Sequence, residues 1–187
     1  MSVKIINKEE KISMLIEECK QGKSKSQQLL YQKFAPILMA ICLRFTRNET
    51  DAEDLLQEAF IRIFISLRDF KGKGSFEGWL KRITINCAIN QYKKKERIKQ
   101  TMEIEPLDEN IEVTVDAEAP VPYEILLQMV HKLPAGYRTI FNLSAIDGYS
   151  HEEIAEMIGV SYSNVASQLF RAKKSLQKAV QEYLNCE

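Results

Sequence analysis

The sequence contains few of the residue types from which catalytic and metal sites are built. Its 187 residues include two histidines and four cysteines, and no cysteine lies near a histidine at the spacing of metal ligands. The absence of a Cys-x-x-Cys pair disfavours a zinc site, a disulfide framework and a cysteine protease. The seven glycines form neither of the common nucleotide-binding loop patterns. We therefore expect no catalytic residue, no metal and no cofactor, and a protein that is not an enzyme.

Long apolar runs are also missing. The longest covers residues 34–43 and contains Pro36, whereas a membrane-spanning helix needs about 20 apolar residues. Acidic residues stand near the N-terminus where a signal peptide would have its apolar core. Together with widely separated cysteines, this pattern predicts a cytoplasmic protein with free thiols.

The whole chain has no excess of either charge, since it has 26 basic and 26 acidic residues. Its parts, however, differ in net charge. Residues 1–97 carry 19 basic and 12 acidic side chains, a net charge of +7. Residues 98–122 have a net charge of −6, and residues 123–187 have a net charge of −1. The positive charge of the N-terminal half indicates a polyanionic partner.

The spacing of apolar residues predicts an all-α protein of two small helical domains. Alternation typical of a strand occurs only briefly, at residues 111–115. That stretch lies within residues 98–122, whose acidic residues and three prolines predict a flexible linker that does not fold alone. We therefore predict domains at residues 1–97 and 123–187, joined by the acidic linker.

One predicted helix, near residues 51–67, has an acidic face with an apolar member. The face opposite its inward-facing leucines and alanines consists of Asp51, Asp54, Gln57, Glu58 and Ile61. From the helix alone, this surface could be simply solvated or could dock a partner.

The next predicted helix has a stripe of residue types suited to nucleic acid. Spacings of three and four residues place on one side Trp79, Arg82, Asn86, Asn90, Lys93 and Arg97. Cations bind phosphates, asparagine amides contact base edges and an aromatic ring stacks on an unpaired base. The alternative is that Trp79 belongs to the core and that the cations only keep the helix soluble.

The C-terminal domain has the pattern of a helix-turn-helix. Ser150 and Glu153 form a capping box before a short helix, Gly159 follows it, and Ser161 caps a longer helix. The alternative is a helical hairpin without a DNA-binding role. The exposed side of the longer helix is predicted to consist of Ser163, Asn164, Ser167, Phe170, Arg171 and Lys174.

Three stretches in this order resemble the extracytoplasmic-function (ECF) sigma factors of bacterial RNA polymerase. Residues 51–64 resemble the helix that grips the clamp helices of the polymerase β′ subunit. Residues 70–90 resemble the segment that melts and reads the minus-ten promoter element. Residues 149–174 resemble the region-four helix-turn-helix, which binds the minus-thirty-five element. The similarity runs from about Gln28 to Tyr183.

The resemblance assigns roles to the predicted surfaces. It implies that the acidic face of residues 51–61 contacts core RNA polymerase, which includes the β′ clamp helices and the β subunit. It also implies that the residues contacting the minus-ten element are Lys71, Lys73, Phe76, Trp79, Arg82, Asn86, Asn90 and Lys93. The set of residues 163–174 given above is assigned to the minus-thirty-five element. The family also implies an anti-sigma factor, often anchored in the membrane, as a further partner.

The recognition helix departs from the family pattern at two positions. Asn164 stands where a threonine is usual, and Ala166 where a cation is usual. The sequence of the minus-thirty-five element therefore cannot be predicted from the family. Two other classes stay open: a helix-turn-helix regulator that binds operators without polymerase, and a helical adaptor with no nucleic-acid role.

Overall fold

Regularly spaced apolar residues fold the chain into helices, as the sequence predicts. The computed structural model describes residues 8–99 and 121–185, and within these ranges there is no β-strand. The all-α class is thus confirmed for the described chain. Most of the acidic linker, and the strand-like residues 111–115, lie outside the described residues.

The N-terminal helices are longer than those nearer the C-terminal end, apart from the last. A 3₁₀ turn at Leu67–Asp69 follows the third helix. The helices are α1 (Lys8–Lys20), α2 (Ser24–Phe45), α3 (Glu49–Ser66) and α4 (Phe76–Lys99).

The described chain separates into two units. The first contains Thr50–Cys87 and the described residues up to Cys42. Its core consists of apolar side chains that α2, α3 and α4 each contribute at helical spacing. The fully buried members include Leu30, Leu38, Leu55, Ile63 and Leu80.

The second unit contains Leu43–Glu49 and the described residues from Ala88 onward. Its helices are α5 (Tyr123–Lys132), α6 (Ala135–Phe141), α7 (His151–Ile158) and α8 (Tyr162–Leu184), with a π-helical turn at Asn142–Ile146. Its core includes Leu133, Ile140, Leu143, Ile154 and Val165. Part of α2 therefore packs with the C-terminal helices, a grouping that the sequence analysis did not predict.

The turn between α7 and α8 has the predicted cap geometry. The Ser150 hydroxyl accepts a hydrogen bond from the Glu153 amide, and the Glu153 carboxylate accepts one from the Ser150 amide. Gly159 has φ of 86°, a left-handed conformation that costs a side chain about 1–2 kcal/mol. The Ser161 hydroxyl accepts from the Asn164 amide and begins α8. These caps satisfy backbone amides at the starts of α7 and α8 that have no partner within their own helix.

Candidate nucleic-acid interface

The acidic face of α3 points outward because the opposite face of the helix is apolar and buried. Ala52, Leu55 and Ala59 are completely buried. Asp54 and Gln57 are exposed, Asp51 and Glu58 are half-buried, and Ile61 is 60% exposed. The five predicted residues therefore share one accessible surface.

Ile65 extends this surface by one helical turn, and the sequence analysis missed it. It is 74% exposed, the highest value among the large apolar side chains of the described chain. Its position four residues after Ile61 was the available signal. Arg62, on the adjoining turn, pairs with the Glu58 carboxylate at 2.9 Å. The result is an exposed isoleucine pair bordered by an acidic helical turn.

Four aromatic rings meet where α4 begins. Phe76 is 8% exposed, and its ring centroid lies 5.6 Å from that of Phe34 and 5.0 Å from that of Phe70. Trp79 stacks on Phe76 at 5.7 Å and contacts Phe70 at 5.3 Å. Phe76 is thus enclosed by neighbouring rings and packs against Trp79, and its contact with DNA stays a prediction. Trp79 itself is half-buried, so part of its ring stays accessible.

The loop before α4 is basic and bends at two glycines. Gly72 and Gly74 have φ of 71° and 80°, values that other residues rarely adopt. Lys71 and Lys73, on either side of Gly72, are both exposed. The start of the loop is held because the Lys20 ammonium donates to the Phe70 carbonyl at 3.3 Å. The loop thus exposes two cations between Phe70 and Phe76, which both belong to the aromatic cluster.

The predicted stripe on α4 faces solvent along most of its length. Arg82, Asn86 and Asn90 are exposed, and Lys93 is half-buried. The opposite side of the helix is buried, with Leu80 and Cys87 fully covered. Lysines 94 and 95 add exposed cations next to Lys93. The side chain of Arg97 lies outside the described residues. The arrangement places cations and amides in one line that starts at Trp79.

The predicted recognition face of α8 is accessible as well. Phe170 is 66% exposed, and only Lys174 of the six predicted residues is half-buried. The Asn164 side-chain oxygen accepts a hydrogen bond from the Gln168 amide, and the Ser167 hydroxyl donates to the Asn164 carbonyl at 3.1 Å. These bonds within α8 hold Asn164 at the N-terminal end of the helix, where a recognition helix meets base edges.

The thiols of Cys42 and Cys87 are buried and therefore unreactive. Burial raises the pKa of Cys42 to about 12 and that of Cys87 to about 11, so both are neutral thiols near pH 7. Among the described residues, no group of three or more histidine, cysteine or acidic side chains could hold a metal ion. Within those same ranges, no helix has the length and apolar character needed to cross a membrane.

Two family models match the chain at the segments that form these surfaces. The model for Sigma-70 region 2 matches residues 30–98, and the model for Sigma-70, region 4 matches residues 123–176.

Individual relatives match over nearly their whole length. The RNA polymerase sigma-H factor of Pseudomonas aeruginosa is 30% identical over 187 residues, covering 94% of this chain and 97% of the relative. The ECF RNA polymerase sigma-E factor of Haemophilus influenzae is 29% identical over 178 residues, covering 89% and 94%. The sigma factor RpoE of Bartonella quintana, solved with the anti-sigma factor NepR, shares the fold, with a TM-score of 0.52 and 21% identity over 82% of this chain and 96% of that one.

Proposed function

The chain belongs to the sigma factors of bacterial RNA polymerase, in the ECF group, and from this membership we propose which of its surfaces carries each step of initiation. A sigma factor binds core RNA polymerase and directs it to promoters. We assign core binding to α3, promoter melting to α4 with its preceding loop, and minus-thirty-five recognition to α8. The observation that carries the proposal is that the accessible faces of these three helices fall within the two matched family regions.

The core polymerase contact is assigned to Asp51, Asp54, Gln57, Glu58 and Ile61. An exposed isoleucine surrounded by acidic side chains suits a partner surface that has an apolar patch bordered by cations. Complementary charge speeds the encounter, and burial of the isoleucine supplies affinity. The β′ clamp helices are the partner that the family resemblance implies.

The minus-ten element is assigned to the loop and stripe residues that the family resemblance implies, including Phe76, which packs against Trp79. Flipping a base out of the duplex costs a few kcal/mol of stacking and pairing, which an aromatic surface and hydrogen bonds can offset. Trp79 offers that surface, Asn86 and Asn90 offer amides, and Lys71 and Lys73 offer cations for phosphates. Melting in this way uses binding energy alone and requires no catalytic residue. The chemistry of RNA synthesis belongs to the polymerase, so we propose that the chain is not an enzyme.

The minus-thirty-five element is assigned to residues 163–174 of α8. The family's usual threonine and cation are Asn164 and Ala166 here, which changes the predicted base and phosphate contacts. The net charge of −1 on residues 123–187 also predicts weak independent DNA binding, because neutralised phosphates supply most non-specific affinity. We expect α8 to act when the chain is bound to polymerase, where the second contact is intramolecular.

The remaining assignments rest on the family resemblance. We propose that an anti-sigma factor, anchored in the membrane in many members of the group, binds this chain and blocks its access to polymerase. We further propose that the chain acts in the cytoplasm, where core polymerase and promoter DNA are found.

In vitro transcription with core polymerase from the source organism and a genomic promoter library tests the proposal. We expect transcripts from discrete sites only when this protein is added. Asn90→Ala should abolish open-complex formation and leave core binding intact. The matched control is Gln32→Ala, which removes an exposed amide from α2 and should behave as wild type.

The second candidate is a helix-turn-helix regulator, which α8 alone would also permit. That function predicts stable binding of the free protein to duplex operators and no binding to core polymerase. This pair of results would replace the sigma-factor assignment for this chain.

A further inference from the structure

Asn164 and Gln168 lie one helical turn apart on α8, and their side chains are hydrogen-bonded to each other. The Gln168 Nε2 atom donates to the Asn164 Oδ1 atom. Residues four positions apart lie on the same side of a helix, which brings the two carboxamides together. Asn164 is one of the two positions at which α8 departs from the family pattern. The bond therefore acts on a residue whose base contact the family does not specify.

The backbone of Asn164 is held as well. Its amide donates to the Ser161 hydroxyl at 3.2 Å, and its carbonyl accepts from the Ser167 hydroxyl at 3.1 Å. Val165, the next residue, is completely buried, whereas Asn164 is exposed. The Asn164 side chain thus starts from a fixed point on the accessible side of α8, and only the orientation of its carboxamide is left to be set.

Gln168 packs against α6 on its other side. It is half-buried, and a Cβ atom on Gly136 would lie 2.6 Å from the Gln168 Oε1 atom. A side chain at position 136 would therefore collide with the Gln168 carboxamide, and the glycine leaves room for it. Because the Oε1 atom lies against α6, the Nε2 atom is the end of the carboxamide that meets Asn164.

The bond decides which end of the Asn164 carboxamide is turned toward DNA. A side-chain amide accepts hydrogen bonds at its oxygen and donates them from its nitrogen. Since the Oδ1 atom faces Gln168, the Nδ2 atom with its two N–H groups is the end that is turned away from Gln168. Asn164 therefore presents a hydrogen-bond donor on the surface assigned to promoter DNA.

We propose that Gln168 is a positioning residue that makes Asn164 donate to the minus-thirty-five element, so that the base facing Asn164 presents an acceptor and is not cytosine. In the major groove, purine N7, guanine O6 and thymine O4 are acceptors, whereas cytosine presents only its N4 amino group, a donor. Two donors that face each other both lose a hydrogen bond, and this loss rejects cytosine. The inference rests on the proposed function, because it deepens the assignment of α8 to this element.

An asparagine that rotates without restraint does not discriminate in this way. It can turn its oxygen toward DNA and accept from the amino group of cytosine or adenine. Gln168 disfavours that orientation, because it would place the Asn164 N–H groups against the Gln168 Nε2–H groups. The hydrogen bond thus converts a residue that can donate or accept into one that donates.

Gln168→Glu tests the orientation, because it conserves size and reverses the hydrogen bond. The new carboxylate only accepts, so the Asn164 Nδ2 atom should turn toward it and the Oδ1 atom toward DNA. The measurement is the affinity of holoenzyme for duplexes that carry each of the four base pairs at each position of the minus-thirty-five element. At one position we expect wild type to reject cytosine by about 10-fold or more. At that position Gln168→Glu should favour cytosine over guanine and thymine, and both proteins should accept adenine, which has an acceptor and a donor.

Control variants separate orientation from charge and from loss of the fold. Gln177→Glu adds the same charge at an exposed position of α8 and should leave the base preference unchanged. Gly136→Ala leaves α8 intact, displaces the Gln168 carboxamide and should weaken the rejection of cytosine. Its Cβ also meets the Tyr92 hydroxyl at 3.2 Å, which has to shift only slightly. Circular dichroism should show wild-type helix content for every variant.

The outcomes distinguish this inference from the proposed function. If wild type prefers particular bases but accepts cytosine at every position, the inference is wrong. It is also wrong if Gln168→Glu retains the wild-type preference, or if Asn164→Ala still rejects cytosine at the same position. If wild-type holoenzyme shows no base preference at any position of the element, the assignment of α8 to that element is refuted instead.

Discussion

At the scale of single residues, burial rather than reactivity accounts for the cysteines of the first unit. Cys42 and Cys87 are fully covered, and desolvation keeps their thiols neutral. Their folded pKa values of about 12 and about 11 lie above the usual value of about 8.5 for a thiol. Their contribution to stability is thus complete below the unfolded pKa and is lost as pH rises toward the folded values.

We therefore predict that the free energy of unfolding falls between pH 9 and pH 11, because the unfolded chain loses thiol protons first. Denaturant titrations across this range measure the effect. The double variant Cys42→Ala with Cys87→Ala should have a flatter pH dependence. An identical slope in the variant would show that other groups, such as Tyr92, determine the pH dependence of the free energy of unfolding.

Ile65 supplies a second prediction at this scale. Because its side chain is 74% exposed, Ile65→Ala should leave stability within about 0.5 kcal/mol of wild type. If core polymerase covers the side chain, its loss should weaken core binding by about 1–2 kcal/mol, or roughly 10-fold. Leu29→Ala, at an exposed position on α2, is the matched control. Fluorescence anisotropy with labelled protein measures both, and equal affinities would remove Ile65 from the interface.

At the scale of elements, the helix-turn-helix was predictable because its signals are local. Ser150, Gly159 and Ser161 stand at the positions where helix caps need those residue types, and all three have the expected geometry. The helical segment after α5 was less predictable: it is α6 followed by a π-helical turn, and the periodicity of apolar residues alone does not distinguish the two kinds of helix. The enclosure of Phe76 by three other aromatic rings was not predictable in this way, because two of those rings come from outside α4.

Two glycine substitutions test the backbone of these elements. Gly159→Ala should lower stability by about 1 kcal/mol: no atom lies within 4 Å of the added Cβ, so the cost is that of the left-handed conformation alone. Gly78→Ala, inside α4, meets only the Ser75 Cβ at 3.7 Å and should raise stability by about 0.5–1 kcal/mol. Thermal unfolding compares the two. If both substitutions change the melting temperature equally, Gly159 does not keep its left-handed conformation in solution.

At the scale of the whole molecule, the segregation of charge predicts how DNA binding depends on salt. Four cations of the loop and stripe, Lys71, Lys73, Arg82 and Lys93, give an expected slope of about −3 for log affinity against log salt on single-stranded DNA. Lys71→Gln should reduce the slope by about 1. Lys25→Gln, at an exposed lysine of α2 outside both DNA surfaces, should leave the slope unchanged. Filter binding of a minus-ten oligonucleotide to holoenzyme at several salt concentrations gives these values.

The long-range contacts at this scale were not predictable from one sequence. The carbonyls of Leu43, Arg44 and Phe45 bind side chains that lie 88 to 98 positions away. Nothing in the local pattern distinguishes Arg138, one of the 26 basic residues, as a buried one. The division into helices follows from spacing, whereas partners so distant in the chain are set by tertiary packing.

The aromatic cluster at the start of α4 has a practical consequence for following initiation in real time. Trp79 is the single tryptophan of the chain, and it lies in the first turn of α4, directly after the basic loop. A protein grown with 5-fluorotryptophan therefore carries one fluorine nucleus, placed at the surface assigned to the flipped base. Its ¹⁹F resonance would remain a single, assignable signal in a complex with unlabelled polymerase, and its chemical shift would report strand opening without an attached dye.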